Sequence, residues 1–409
     1  MDAAPPPLPP EAFAERMAAF GPFPPAPRIA AAVSGGPDSL ALVLLAHSWA
    51  RARGGDVLAL IADHGLRPES GREAEAVAAV LAARGIAARV LRLAVPPGAR
   101  LQERARAARL AALAEAAAEE GRPWLLLGHQ RSDQAETVAF RAARGSGAEG
   151  LAGIPPLRRE GRVLLCRPLL DVPRPALEAV CAAAGLLPVR DPSNRDARFA
   201  RARLRAALGP VEEAALAAAA AAAAARRARQ EAAMAARLAA AVDWHPAGAA
   251  RLDRAALGQD AVARAALARL VAAVSGTALP PPPAAVARLL AAGGGSLAGT
   301  LWRGRWLFRE AALCAAPVPA RHGVLWDGRW RLEGPGDPSA EIGALGPAPA
   351  LRPLARGLPA AALAALPAVR RGGMLVAVPA LAWPDPAVSA RFALRFSPRL
   401  PLDRGFGDF

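Results

Sequence analysis

Ile29-Ala30-Ala31-Ala32-Val33-Ser34-Gly35-Gly36-Pro37-Asp38-Ser39-Leu40-Ala41-Leu42-Val43-Leu44-Leu45-Ala46 is the stretch on which the fold turns. An apolar run leads in, two glycines and a proline form a tight loop, and a helical run leads out, so the order is strand, loop, helix. Gly35 and Gly36 let backbone N–H groups approach a phosphate without Cβ clashes. The helix start adds unpaired N–H groups and a partial positive charge, which suits an anion. Ser34 and Ser39 add hydroxyl donors, and Asp38 can hold Mg²⁺ against the phosphates. This is not a GxxxxGK[ST] loop, because there is no Lys to reach a β/γ-phosphate. The competing reading is a plain βα turn whose serines are accidental.

Working outward, the alternation of strand and helix continues. An apolar segment over 57–62 ends at Asp63-His64-Gly65-Leu66-Arg67, and 70–84 reads as a helix. Segment 89–93 reads as a strand and 101–110 as a helix, on which Arg106 and Arg109 share a face and can meet one anion. A solvated charged face is the alternative for that pair. Trp124-Leu125-Leu126-Leu127 is a fourth strand and runs into Gly128-His129-Gln130-Arg131-Ser132-Asp133-Gln134-Ala135-Glu136-Thr137. Ligands of open α/β sheets bind beyond the carboxyl ends of the strands, which places Asp63 and His64 where such a ligand would lie. Asp63 reads equally well as a polar strand end before a glycine turn. His129 and Asp133 are four apart and Asp133 and Glu136 three apart, so an imidazole and carboxylates can face the same mouth. Such a set can hold Mg²⁺, orient an amine or take a proton. The alternative is a helix start capped by Ser132 or Asp133 with a hydrogen-bonded His. Further on lie the loop glycines of 144–153 beside Arg141 and Arg144, a fifth apolar segment ending Arg167-Pro168-Leu169-Leu170, and a helix over 174–184 stopped by Gly185. Asp191-Pro192-Ser193-Asn194 then gives turn chemistry, and the arginines through Arg205 form a candidate phosphate-contact strip.

Composition narrows the class of partner. A chain of 409 residues has room for about two to three domains. Net charge is +16, carried by Arg without Lys; the sequence also lacks Tyr. Coding bias accounts for Arg over Lys and for the Ala excess, but not for the positive sign, which favours a polyanion such as RNA. Cys166, Cys181 and Cys314 form no CxxC and no zinc spacing, which argues against a disulfide framework and for a reducing compartment. The longest apolar run, 214–225, is nearly all Ala and is flanked by Glu212, Glu213, Arg226 and Arg227, which suits a soluble helix rather than a membrane span. Residues 1–10 carry no basic residue and no apolar core, unlike a signal peptide, so a cytoplasmic location is expected.

In order and spacing these motifs resemble those of bacterial tRNA(Ile)-lysidine synthetases, within the PP-loop ATP pyrophosphatases. The matching stretches are 34–39, 63–67, 105–110, 128–137, 144–153, 167–170 and 191–205, roughly half the chain. The resemblance implies an α/β fold, with an N-terminal parallel-sheet PP-loop domain of adenine nucleotide alpha hydrolase type, then a helical linker and a smaller α+β C-terminal region. It implies ATP as co-substrate with Mg²⁺, free L-lysine, and an isoleucine tRNA with a CAU anticodon. ATP adenylates C2 of the wobble cytidine and releases pyrophosphate; the lysine ε-amine then displaces AMP. It leaves a homodimer open. The catalytic residues implied are Asp38, His129 and Asp133. Ser34, Gly35, Gly36, Pro37, Asp38, Ser39, Asp63 and Arg109 are implied for ATP, Asp38 and Asp133 for the metal, and Asp133, Glu136 and Arg205 for the lysine and tRNA substrates. Four departures from the family pattern stand out: Gln130 for a second His, Ser132 for an Asp, Leu110 for a Tyr, and Ala202 for an Asn.

The expected domains are a flexible leader over 1–27 with a short helix in it, a catalytic domain over 28–208, a helical connector or tRNA-binding region over 209–292, and an α+β region over 293–409. Trp302, Trp306 and Phe308 interleave with Arg303, Arg305 and Arg309, which reads either as an RNA clamp or as a packed strand with solvated arginines. Two other functions remain in view at this stage. One is a PP-loop tRNA thiolase, which the lack of a cysteine pair disfavours. The other is a non-catalytic tRNA-binding module, which the intact loop disfavours.

Overall fold

The computed structural model describes residues 6–63, 70–93, 101–145, 150–188, 208–355 and 357–398. His64 to Arg67, Ser193, Asn194, Ala202 and Arg205 lie outside the described residues. The chain forms two compact units, Met1–Arg227 and Ala228–Phe409.

The first unit is built on a six-stranded sheet of β1 (Arg28–Val33), β2 (Asp56–Asp63), β3 (Ala87–Arg92), β4 (Trp124–Leu126), β5 (Leu157–Glu160) and β6 (Val163–Cys166). Strand order is β3-β2-β1-β4-β6-β5, parallel except for the antiparallel edge strand β5. The crossovers pass through α2 (Pro37–Arg51), α3 (Ser70–Ala82), α4 (Leu101–Glu119) and α5 (Arg131–Ala143), and α6 (Arg174–Ala183) follows β6. The chain moves from β1 to β2 and β3 on one side, then returns to place β4 on the other. β1 and β4 therefore flank the point where strand order reverses, and a crevice opens there at their carboxyl ends. Central strands are buried on both sides: Ile29, Ala31 and Val33 in one layer of the core, Ala30, Leu58 and Leu125 in the other.

The expected flexible leader is corrected by α1 (Pro10–Ala18). Its Phe13 and Met17 are fully buried, and Phe20 is nearly so, in the same core as β1 and α2. Phe23 adds ring contacts to Trp49 and Trp124, both with centroids 4.9 Å apart. Burying three large apolar side chains, each worth about 1.5–3 kcal/mol, and half-burying Phe23 ties 13–23 to the unit.

The 32-residue helix α7 (Pro210–Ala241) follows, starting at Glu212 and Glu213 as the dipole favours. The second unit then holds a five-stranded antiparallel sheet of β7 (Val242–His245), β8 (Ala249–Leu252), β9 (Gly295–Leu297), β10 (Thr300–Arg303) and β11 (Trp306–Arg309), in the order β7-β8-β11-β10-β9. β7 and β8 fall within the stretch expected to be a helical connector, so the sheet begins some fifty residues earlier than expected. β7 and β8 are four residues each, too short to carry a clear alternation, and they are defined by pairing, β7 with β8 and β8 with β11. Helices α9 (Ala261–Ser275) and α10 (Pro283–Ala292) cover one face, after a single-turn α8 (Arg254–Leu257). Two smaller sheets complete the unit: a four-stranded one of β12 (Val318–Arg321), β15 (Gly336–Ala344), β16 (Pro367–Arg371) and β17 (Met374–Ala377), and a three-stranded one of β13 (Leu325–Trp326), β14 (Trp330–Leu332) and β18 (Leu394–Phe396). No helix of the described residues is long and apolar enough to cross a membrane.

Candidate active site

The loop after β1 is held by its own serines. Ser39 Oγ accepts from the Ser34 N–H at 3.1 Å, donates to Gly36 O at 3.0 Å, and lies 3.2 Å from Ser34 Oγ. Gly35 takes φ +79°, a left-handed conformation that disfavours a side chain. Gly36 is the N-cap of α2 and Pro37 its first residue, where a missing N–H costs nothing. Asp38 stands in the first turn, beside the positive end of the helix dipole.

The end of β4 lies directly against this turn. A Cβ on Gly128 would come within 3.2 Å of Asp38 C, Asp38 O and Ser39 Cα, so only glycine lets the two segments meet without displacement. α5 starts three residues later, at Arg131. Its cap is Gln130 rather than Ser132: Gln130 Oε1 accepts from the Ser132 N–H at 2.8 Å, and Asp133 Oδ2 accepts from the Gln130 N–H at 3.1 Å. Gln130 Nε2 also donates to Ser132 Oγ at 2.5 Å, so two of the departures from the family pattern form one buried pair. Downstream, Gln134 pairs with both backbone groups of Ile154, and Arg141 donates to Gly150 O at 3.0 Å and Gly153 O at 2.8 Å. Arg141 thus fastens the glycine loop to α5 through its carbonyl groups.

Between these elements is a cleft of about 750 Å³. Ser34, Gly36, Pro37, Asp38, Ser39, His129, Asp133 and Arg109 all line it, so most of the expected site residues are brought together. Gly35 is not itself in the lining and contributes through its left-handed conformation. Two other expected residues, Asp63 and Glu136, are not among its lining. Asp63 is half-buried at the end of β2 and accepts from Ser70 Oγ at 2.5 Å, at the start of α3. Glu136 is buried one turn deeper in α5, away from the cleft lining. Arg205 is outside the described residues.

The cleft also gathers residues that sequence reasoning did not assign. Arg158, Arg167 and Arg174 come from β5, the end of β6 and α6, and Glu178 joins them from α6, while Arg106, expected from its spacing to share a face with Arg109, lines the cleft beside it. Five arginines thus face three carboxylates, Asp38, Asp133 and Glu178, which makes the cleft receptive to polyanions. Arg167 is 6% exposed and donates to Pro155 O at 2.7 Å, while its Nε is buried with no hydrogen-bond partner. Burial, then Arg158 and Arg106, push its pKa down to about 10. Burial and Arg106 lower Arg109 as well. Both stay cationic at neutral pH, and an entering phosphate would relieve their mutual repulsion. Ala32, Ala62, Leu110, Leu113 and Leu127 form the apolar part of the lining. Among the described residues no three His, Cys, Asp or Glu side chains cluster to hold a metal ion. Mg²⁺ usually takes one or two carboxylates and leaves its other positions to substrate phosphates and water, and the Asp38–Asp133 donor set fits that mode.

The PP-loop domain family matches residues 10–212. A tRNA(Ile)-lysidine synthase of Methylobacterium nodulans is 42% identical over 288 residues, covering 66% of this chain and 82% of that protein. One from Methylobacterium sp. strain 4-46 is 45% identical over 276 residues, covering 65% of this chain and 78% of that protein. The chain belongs to the tRNA(Ile)-lysidine synthase family. A solved structure of a U34-tRNA thiolase from Methanococcus maripaludis matches with a TM-score of 0.45 at 16% identity, covering 51% of this chain and 76% of that one. The family's PP-loop domain is an ATP-using one, and its match begins at residue 10, with α1 inside it.

Proposed function

We propose that the protein is an ATP-dependent ligase that joins the ε-amine of free lysine to C2 of the wobble cytidine in the CAU anticodon of an isoleucine tRNA. The observation that carries this is the cleft itself. The Ser34–Ser39 loop and the His129–Asp133 segment meet at one switch point, under five arginines, in a chain of the lysidine synthase family.

The reaction divides among these residues as follows. ATP places its phosphates on the N–H groups of the loop and the first turn of α2, with the Ser34 and Ser39 hydroxyls alongside. Mg²⁺, when bound, screens the charge of the departing pyrophosphate; Asp38 and Asp133 would hold it. The apolar lining, with Leu110 where the family carries Tyr, receives the adenine ring. Arg106, Arg109 and Arg167 meet phosphates of ATP or of the RNA. Attack by the cytidine C2 oxygen on the α-phosphorus releases pyrophosphate and leaves AMP on C2 as a good leaving group. The lysine amine must lose a proton to attack C2. Asp133 and His129, at the cleft, are placed to hold the ammonium and take that proton. That contact falls to Asp133 rather than to the buried Glu136. A homodimer and a cytoplasmic location are compatible with this reading.

The test is ATP-dependent incorporation of labelled lysine into a transcript of the CAU isoleucine tRNA, with an elongator methionine tRNA and Asp133→Ala as controls. Incorporation into the isoleucine transcript alone, lost in the variant, is expected; tRNA binding with no incorporation would sink the reading. A thiolase is disfavoured by its cysteines. Burial raises the Cys166 thiol to about 12, and burial first, with Asp38 and Glu178 adding, raises Cys181 to about 11, so neither is an effective nucleophile at neutral pH. Replacing both by Ala is expected to leave activity intact.

A further inference from the structure

The alternation of Trp and Arg over 302–309 is divided by the second unit into what is buried and what is not. Trp302 and Phe308 are each 2% exposed and belong to two different cores, and Arg309 is paired with Asp327 inside the unit. Trp306 is left half-buried, with Arg303 and Arg305 exposed on either side of the turn between β10 and β11.

Trp306 stands in a row that crosses the sheet. Asp243 on β7 is opposite Arg251 on β8, Arg251 is opposite Trp306 on β11, and Trp306 is opposite Arg303 on β10. Directly opposed residues of antiparallel strands share a face. The Arg251 guanidinium carbon lies 5.6 Å from the Trp306 ring centroid, and its NH1 is 3.4 Å from Asp243 Oδ2. The His245 ring meets Trp306 edge-on, with centroids 5.7 Å apart. Asp243, His245, Arg251 and Trp306, together with Trp244 and Gly357, line a cavity of about 250 Å³. That is smaller than a pocket for a drug-sized ligand and suits one ring system. His245 Nδ1 accepts the Ala247 N–H at 3.1 Å, which leaves Nε2 to carry the proton of the neutral ring. Burial lowers its pKa and keeps it neutral at pH 7, as a donor.

We propose that this cavity binds one unpaired nucleobase of the RNA, stacked on Trp306 and flanked by the Arg251 plane, while Arg303 and Arg305 take the adjoining phosphates. An aromatic face with arginines beside it is the common means of holding a splayed-out base, and it works without reading the sequence. Charge favours the same occupant, with three arginines around one aspartate that is already paired with one of them. None of its residues lines the catalytic cleft, and the proposal rests on the reading that RNA is the substrate.

The experiment titrates a fluorescein-labelled transcript of the CAU isoleucine tRNA with the full-length protein, without ATP or lysine. Trp306→Ala is expected to weaken binding about tenfold, since one base–aromatic stack is worth about 1–3 kcal/mol, and Trp306→Phe to restore most of it. Replacing exposed Arg303 and Arg305 together by Ala lowers the salt slope of binding by about two, a readout that does not depend on how well the Trp306 variants fold. Wild-type affinity in a folded Trp306→Ala protein, or an unchanged salt slope in the double variant, overturns the proposal, as it would if the cavity anchored a peptide instead. Those results leave the ligase reading standing if lysine is still incorporated. A wild-type protein that binds no tRNA overturns both.

Discussion

Gly128→Ala tests whether the cleft depends on the close approach of β4 to the phosphate loop. Gly128 is absent from the left-handed glycines, so the substitution adds a methyl group without backbone strain. That methyl carbon would sit 3.2 Å from Asp38 C, Asp38 O and Ser39 Cα. Carbon pairs at contact sit no closer than about 3.5 Å, so the first turn of α2 or the end of β4 must give by about 0.3 Å. Overpacking of this kind costs about 1–3 kcal/mol of stability. The functional effect follows from the Ser39 hydroxyl, which links that first turn to Ser34 and Gly36 at 3.0–3.2 Å. A shift of the turn displaces the whole set of phosphate donors. Since a 1 Å misplacement can cost about a hundredfold, a third of that should cost about three- to tenfold in kcat/KM for ATP. Pyrophosphate release at varied ATP, alongside thermal melting and tRNA binding, separates the outcomes: melting temperature and kcat/KM for ATP fall, while tRNA affinity holds. A variant with wild-type kcat/KM for ATP would refute the claim that this contact sets the loop.

Two further predictions concern the second unit. Asp327 accepts from Arg309 Nε and NH2, both at 3.1 Å, from Arg329 Nε at 2.8 Å and from the Ala315 N–H at 2.9 Å, so Asp327→Asn should cost about 3–5 kcal/mol by leaving two buried guanidinium groups uncompensated. Asn tolerates the φ of +50° at this position, and a loss below about 1 kcal/mol in urea unfolding would contradict the buried-charge account. Asp337 is held down from 3.8 to about 2, first by the Ser339 hydroxyl and then by its N–H and Arg371. The unfolded chain therefore takes up the proton first, and the stabilisation present above pH 3.8 drains away as pH falls towards about 2. Wild type and Asp337→Asn should differ in unfolding midpoint at pH 5 and converge at pH 2; a gap independent of pH would count against this.

What the sequence made legible was local. The strand-loop-helix at 29–46 is specified by residues adjacent in the chain, and the crevice follows from where β1 and β4 end. α1 was legible too, because Phe13 and Met17 lie four apart on one helical face, but the prolines at 22, 24, 25 and 27 read as a linker. Arg158, Arg174 and Glu178 had no such signal. They reach the cleft because β6 and β5 fall beside β4 and α6 packs against α2, and none of that pairing is written in their own neighbourhoods. Over 300–309 the period of two fails for another reason: β10 and β11 are covered on both faces, so alternation cannot separate Trp302 and Phe308 from Trp306.

The difference between Asp133 and Glu136 has the same kind of cause. Residues three apart share a helix face, and the spacing treated the two carboxylates as equivalent. They are not equivalent along the axis. At 1.5 Å per residue, Glu136 lies about 4.5 Å further from the helix start. The cleft opens at the carboxyl ends of the strands, against only the first turn of α5. Asp133, the third residue of that helix, is at the mouth and also caps Gln130. Glu136 has passed below the rim and is 4% exposed. In a doubly wound sheet, distance from the helix N-terminus therefore decides which residues can touch substrate, and helical phase decides only which way they point.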